Sequence, residues 1–183
     1  MKKYVVIGAA LSAISFGGAY AGELSVALAG EGFTYDDSNV GDISVFTSGV
    51  VVRGDANLGD TNLVIGAETF ISMQGDVEAD ELDGAGDADL STFKATIGYD
   101  FKLLQDKFKL TPVIGYQIGT GKLETETYDI NGFVAGVRAD YAIDERLSVN
   151  AGLLVGKSTI DFDDADSFDA TSGSLSFGLG YKF

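Results

Sequence analysis

In segment after segment of this chain, apolar residues take every second position, and no long apolar run interrupts the pattern. At the C-terminus Leu175, Phe177, Leu179, Tyr181 and Phe183 alternate with Ser174, Ser176, Gly178, Gly180 and Lys182. Successive side chains of a β-strand point to opposite faces, so a period of two gives one apolar and one polar face. The same rhythm runs through Leu147 to Val155, Phe133 to Tyr141, Phe108 to Ile118, Phe93 to Phe101 and Leu63 to Met73. Near the start, Leu24, Val26 and Leu28 oppose Ser25, Ala27, Ala29 and Glu31. A segment from Ile43 to Arg53 reads with Ile43, Val45 and Val51 on its apolar face, although Val50-Val51-Val52 blurs the parity. The total is roughly eight strands.

The second face decides between two kinds of β structure. It carries mostly Gly, Ser, Thr and scattered charges, which suits a narrow interior crowded by side chains. A soluble sandwich or barrel would hide the apolar face in a shared core; a membrane barrel turns it to lipid. Tyr35, Tyr99, Phe101, Tyr116, Tyr141 and Tyr181 fall near strand ends, where interfacial girdles belong. Connections after the second, fourth and sixth strands are compact: Asp55 to Asn62, Leu104 to Lys107 and Ala142 to Arg146. The others are mostly longer and more polar, above all Gly75 to Asp89 and Asp161 to Ser172. Short periplasmic turns opposite longer outer loops predict an all-β fold, an antiparallel up-and-down transmembrane β-barrel with both termini periplasmic. Pro112 cannot donate to a ladder and is expected at a bulge or the barrel rim.

Residues 1–21 read as a signal peptide rather than as fold. Lys2 and Lys3 are followed by an apolar stretch to Phe16, and Ala19-Tyr20-Ala21 offers small residues for cleavage. The alternative, an N-terminal anchor helix, needs roughly 20 apolar residues. Residues 22–183 then form the barrel domain. The absence of cysteine excludes a lipid-anchoring thiol and a disulfide framework.

The terminal run from Leu175 to Phe183 resembles the C-terminal signature of bacterial outer-membrane barrels. In those proteins a final aromatic after alternating apolar residues is recognised by the barrel-assembly machinery. The whole chain is similar to the small eight-stranded superfamily that includes the OmpA transmembrane domain, OmpX and the opacity proteins. The resemblance implies Leu175, Phe177, Leu179, Tyr181 and Phe183 as the assembly signal. It also implies a Gram-negative outer-membrane location, with outer-membrane lipids and lipopolysaccharide as surroundings.

The chain has no histidine and no cysteine. Enzymes that resemble this fold use a histidine as base or orienter, and neither a Ser-His-Asp arrangement nor a thiol nucleophile can be assembled here. The expectation is therefore no enzyme and no cofactor. A formal net charge of −16 speaks against nucleic acid, whose binders carry basic patches.

Glu31, Glu68, Lys94 and Arg138 fall mid-strand on the inward parity. A lone buried charge costs several kcal/mol, so an ionic network in the lumen is expected. It would act as a plug that holds the barrel together or as a gate for ions or protons. The acidic stretches Asp76 to Asp89 and Asp161 to Asp169 would gather Ca²⁺ or Mg²⁺, or simply stay solvated. Phe162, Phe168 and Tyr128 are the aromatics expected in the outer loops. Two functions remain in play: a structural or surface-interaction barrel, and a narrow porin-like channel for ions or very small solutes.

Overall fold

The computed structural model describes residues 22–37, 41–79, 88–123, 126–162 and 167–183; the expected signal peptide lies outside them. The strands are β1 (Gly22–Asp37), β2 (Gly41–Asn57), β3 (Leu63–Ala79), β4 (Ala88–Tyr99), β5 (Phe101–Leu103), β6 (Phe108–Leu123), β7 (Glu126–Ala142), β8 (Leu147–Phe162) and β9 (Phe168–Lys182). Consecutive strands pair antiparallel except β4 and β5, which both pair with β6, and β1 pairs with β9. The sheet is therefore closed and leaves no free edge, the condition a β structure must meet in lipid.

β4 and β5 are two pieces of one stave, so the barrel has eight. The break falls at Asp100, opposite Thr111, with Tyr99 beside it opposite Pro112. Register runs on unshifted, with Gly98 opposite Val113 and Phe101 opposite Leu110. Pro112 thus sits neither at a bulge nor at the rim. Its missing N–H coincides with the place where the stave breaks its ladder to β6, while on the β3 side the Asp100 amide donates to the Asn62 carbonyl at 2.8 Å.

Alternation places Val26, Leu28, Ile97, Phe133, Leu153, Leu175 and Phe177 outward, with Leu28 and Phe133 each 73% exposed. Tyr99, Phe101, Tyr141 and Tyr181 face outward toward the end that holds the short turns, and Tyr116 and Phe133 toward the other. Two expectations are corrected. In β2, Val45 and Val51 point inward and are buried and Ile43 packs against the same internal core, whereas Phe46 is the outward residue. The β2–β3 pairing slips between Ser48 and Gly49, so Met73 has no partner of its own. The extra residue is on β3 and re-aims that strand alone; β2 keeps one inward parity through Val45, Thr47, Val51 and Arg53 on both sides of it. Tyr35 is not in a girdle; it is buried inside the barrel.

The outer connections are also shorter than the sequence suggests. β3 and β4 run through Gly75–Ala79 and from Ala88, and β8 and β9 take up Asp161, Phe162 and Phe168 onward. Asp76 and Asp89 therefore lie on strands, while Asp80, Glu81, Asp83, Asp87, Asp163, Asp164 and Asp166 lie outside the described residues.

Candidate functional site

The lumen holds two layers. Its outer third is apolar. Phe33, Tyr35, Phe70, Leu90, Tyr128, Ile130 and Ile160 are buried against one another, with Phe162 and Phe168 at the margin. Phe33 meets Tyr128 edge-on at 5.4 Å between ring centroids, and Tyr35 lies 5.3 Å from Phe168. Such pairs stabilise beyond the area they bury. The Tyr128 hydroxyl donates to the Asp89 carbonyl at 3.3 Å. Tyr128, Phe162 and Phe168, expected as loop aromatics, are thus part of an internal aromatic layer.

Below this layer the lumen is ionic. Lys94 Nζ lies 2.6 Å from Glu31 Oε2 and 3.5 Å from Glu68 Oε1. Glu68 Oε2 accepts from Arg138 Nη2 at 2.7 Å, and Arg138 Nη1 reaches Asp55 Oδ1 at 3.2 Å. Arg53 Nε stands 2.8 Å from Asp55 Oδ2, at an angle too acute for a hydrogen bond, and Arg53 Nη2 donates to Asp140 Oδ1 at 2.9 Å. Lys109 closes the series beside Asp140, Asp100 and Glu23, at 3.8, 3.6 and 3.9 Å.

The sequence-read residues Glu31, Glu68, Lys94 and Arg138 are therefore adjacent, and they form the upper half of one chain of alternating sign. Neutral groups complete it. The Thr92 hydroxyl donates to Glu31, Thr111 Oγ1 to Asp100 Oδ1 at 2.7 Å, and Ser148 Oγ to Glu23 Oε1 at 2.6 Å. Lys94 and Arg138 are only 1% and 2% exposed. Buried ions at this depth persist only when each is paired and its remaining donors and acceptors are met. Gly66 keeps room for the chain, since a Cβ there would fall against Asp55 Oδ1 and 2.8 Å from Arg138 Nη1.

The lower half escaped the sequence reading for traceable reasons. Arg53 was hidden by the inverted register of β2, and Asp55 by its reading as the start of a turn. Glu23, Asp100, Lys109 and Asp140 lie near strand ends, yet all four obey the inward parity of their strands, and that parity is the signal that would have found them.

At the end of the barrel that holds the short turns, Glu23, Asp100, Lys109 and Asp140 line a cavity of about 200 Å³. Higher up, among Glu31, Lys94, Gln117 and Leu154, no water-sized space is left. Among the described residues no group of three or more acidic side chains is placed to hold a metal ion. Of the residues expected as an assembly signal, Leu175, Phe177, Leu179 and Tyr181 lie on β9 with their side chains outward, and Phe183 follows its end. Leu179 sits opposite Val26 and Tyr181 opposite Leu24 across the seam where the ring closes. Phe183 donates its amide to the Gly22 carbonyl at 3.1 Å.

The chain belongs to the outer membrane protein beta-barrel domain family, whose family model matches residues 5–183. It is a bacterial outer-membrane protein. No curated protein matches its sequence. Among solved structures it is similar to Neisserial surface protein A, at 17% identity and a TM-score of 0.56, over 87% of this chain and 97% of that one. OprG of Pseudomonas aeruginosa matches at 16% identity and 0.57, over 90% and 97%. Ail, the attachment invasion locus protein of Yersinia pestis, matches at 16% and 0.54, over 90% and 99%. At these identities the likeness is one of fold.

Proposed function

We propose that this family member is a closed, non-conducting and non-catalytic barrel, which anchors an acidic outer end at the cell surface for interaction with other molecules. The observation that carries this reading is the filled lumen. The ionic chain from Glu31 to Lys109 and the aromatic layer above it occupy the space a solute would need. An eight-stranded barrel is only wide enough for its own side chains, which supports the same view. The lack of histidine and cysteine removes the usual bases and nucleophiles. Outward and upper-strand carboxylates such as Asp76, Asp89, Asp129, Asp161 and Asp169 outnumber Lys122 and Lys157, which favours cationic partners over polyanions.

A narrow channel is the second reading, and the periplasmic cavity beside Lys109 is the observation in its favour. Planar-bilayer recording separates the two. The closed barrel gives negligible steady conductance, whereas a large and steady wild-type current would make the channel the leading function.

A further inference from the structure

The lipid-facing wall is not uniformly convex. Across β4, β6, β7 and β8 it contains an open, apolar groove of about 880 Å³. Cross-strand register explains the shape. Ile114, Ala135 and Val155 lie side by side on three adjacent strands, so a single methyl stands between two branched side chains. One row further out come Tyr116, Phe133, Lys157 and Thr171. The rings of Tyr116 and Phe133 meet edge-on at 5.2 Å and wall that end of the groove. An unfilled furrow forfeits dispersion contacts, and at this depth water is no substitute for an apolar filler.

The outer end of the groove is charged. Along the outward face of β8 the series Leu153, Val155 gives way to Lys157, which marks the level where the hydrocarbon belt ends. Lys157 is exposed and makes no ion pair among the described residues; Asp161 and Asp169 stand further out. The Thr171 hydroxyl, directly opposite on β9, adds a donor beside the ammonium. An ammonium and a hydroxyl at the rim of an apolar furrow match a phosphate joined to an acyl chain.

We propose that this groove binds one phosphate-bearing lipid of the outer leaflet, with an acyl chain over Ala135 and the phosphate on Lys157. The site is independent of the lumen and of the surface role argued above.

The test uses the full barrel purified from outer membranes in mild detergent. Native mass spectrometry follows retention of diphosphoryl lipid A and of its dephosphorylated form. Wild type should retain one diphosphoryl molecule about tenfold better than the dephosphorylated one, the size of one charge-assisted hydrogen bond. Lys157→Gln should erase that preference. Ala135→Trp, which fills the furrow, should lower retention of both lipids while heat-modifiable gel migration stays that of a folded barrel. If the tryptophan variant does not fold, Ala135→Leu replaces it with a smaller filling. Equal retention of the two lipids by wild type, an unchanged preference in Lys157→Gln, or undiminished retention in the folded filled variant would each overturn the site. Displacement of the lipid by millimolar inorganic phosphate alone would overturn the acyl-chain half of it.

Discussion

Arg138 on β7 and Glu68 on β3 meet at 2.7 Å inside the barrel, although β4 and β6 stand between their strands in the ring. The contact exists because the lumen is narrow enough for two long side chains to reach across it. Each also serves a second partner, Asp55 for Arg138 and Lys94 for Glu68.

Breaking that contact from either side should be costly. Glu68→Gln or Arg138→Met leaves a buried charge without its counterpart, and each should destabilise the barrel by about 3–5 kcal/mol. The double variant should recover part of the loss, a coupling that urea unfolding of all four proteins in detergent would read. Purely additive losses would show that the two ions are not energetically paired.

Conductance should follow the same chain. Wild-type barrels should give almost no steady current in planar bilayers. Arg53→Ala combined with Arg138→Ala removes the two arginines that link the upper and lower halves of the ionic chain through Asp55 and should produce measurable leak events, provided gel migration shows the barrel folded. Silent double variants that are folded would locate the seal in the aromatic layer of Phe33, Phe70 and Tyr128 instead.

The closing seam predicts an assembly phenotype. Polar replacement of Leu179 and Tyr181, or removal of Phe183, perturbs the strand that pairs with β1. An unclosed edge is untenable in lipid. Folded, heat-modifiable protein in the outer membrane should fall well below wild type while export continues; normal levels would remove the assembly role. In the same preparations N-terminal sequencing should begin at Gly22, and a retained Met1 would discard the signal-peptide reading.

One turn should respond to pH. Asp144 Oδ1 accepts the amides of Arg146 and Leu147, both at 2.7 Å, and these bonds hold its carboxyl below the ordinary aspartate range. A depressed value means that the turn is favoured above the unfolded pKa and loses this support as pH falls through the folded one. Amide exchange at Arg146 and Leu147, corrected for its intrinsic pH dependence, should therefore lose protection only in strongly acidic buffer. Asp144→Ala should show the same loss at neutral pH. Protection that is unchanged in the variant would mean that the backbone alone sets the turn.

Sequence by itself determined which face of most strands meets lipid, because the period of two is local: each residue's side follows from its neighbours in the chain. It likewise placed Glu31, Glu68, Lys94 and Arg138 inside, put the short turns at one end, and left no histidine or cysteine for chemistry. Only tertiary structure decided the rest. Val45, Val51 and Arg53 turn inward together because β2 keeps one parity along its length, and which of its two faces is the inner one is set by its pairing with β1 and β3, which a single strand does not show. Tyr35 and Tyr128 both pack against Phe33 in the lumen, rather than in a membrane girdle and an outer loop respectively, because ring closure brings β1 and β7 within reach of one another. The order of partners from Glu31 to Lys109 was illegible for the same reason. Contacts across a lumen depend on how far each strand is staggered when the sheet closes, and that stagger is fixed by the whole ring at once.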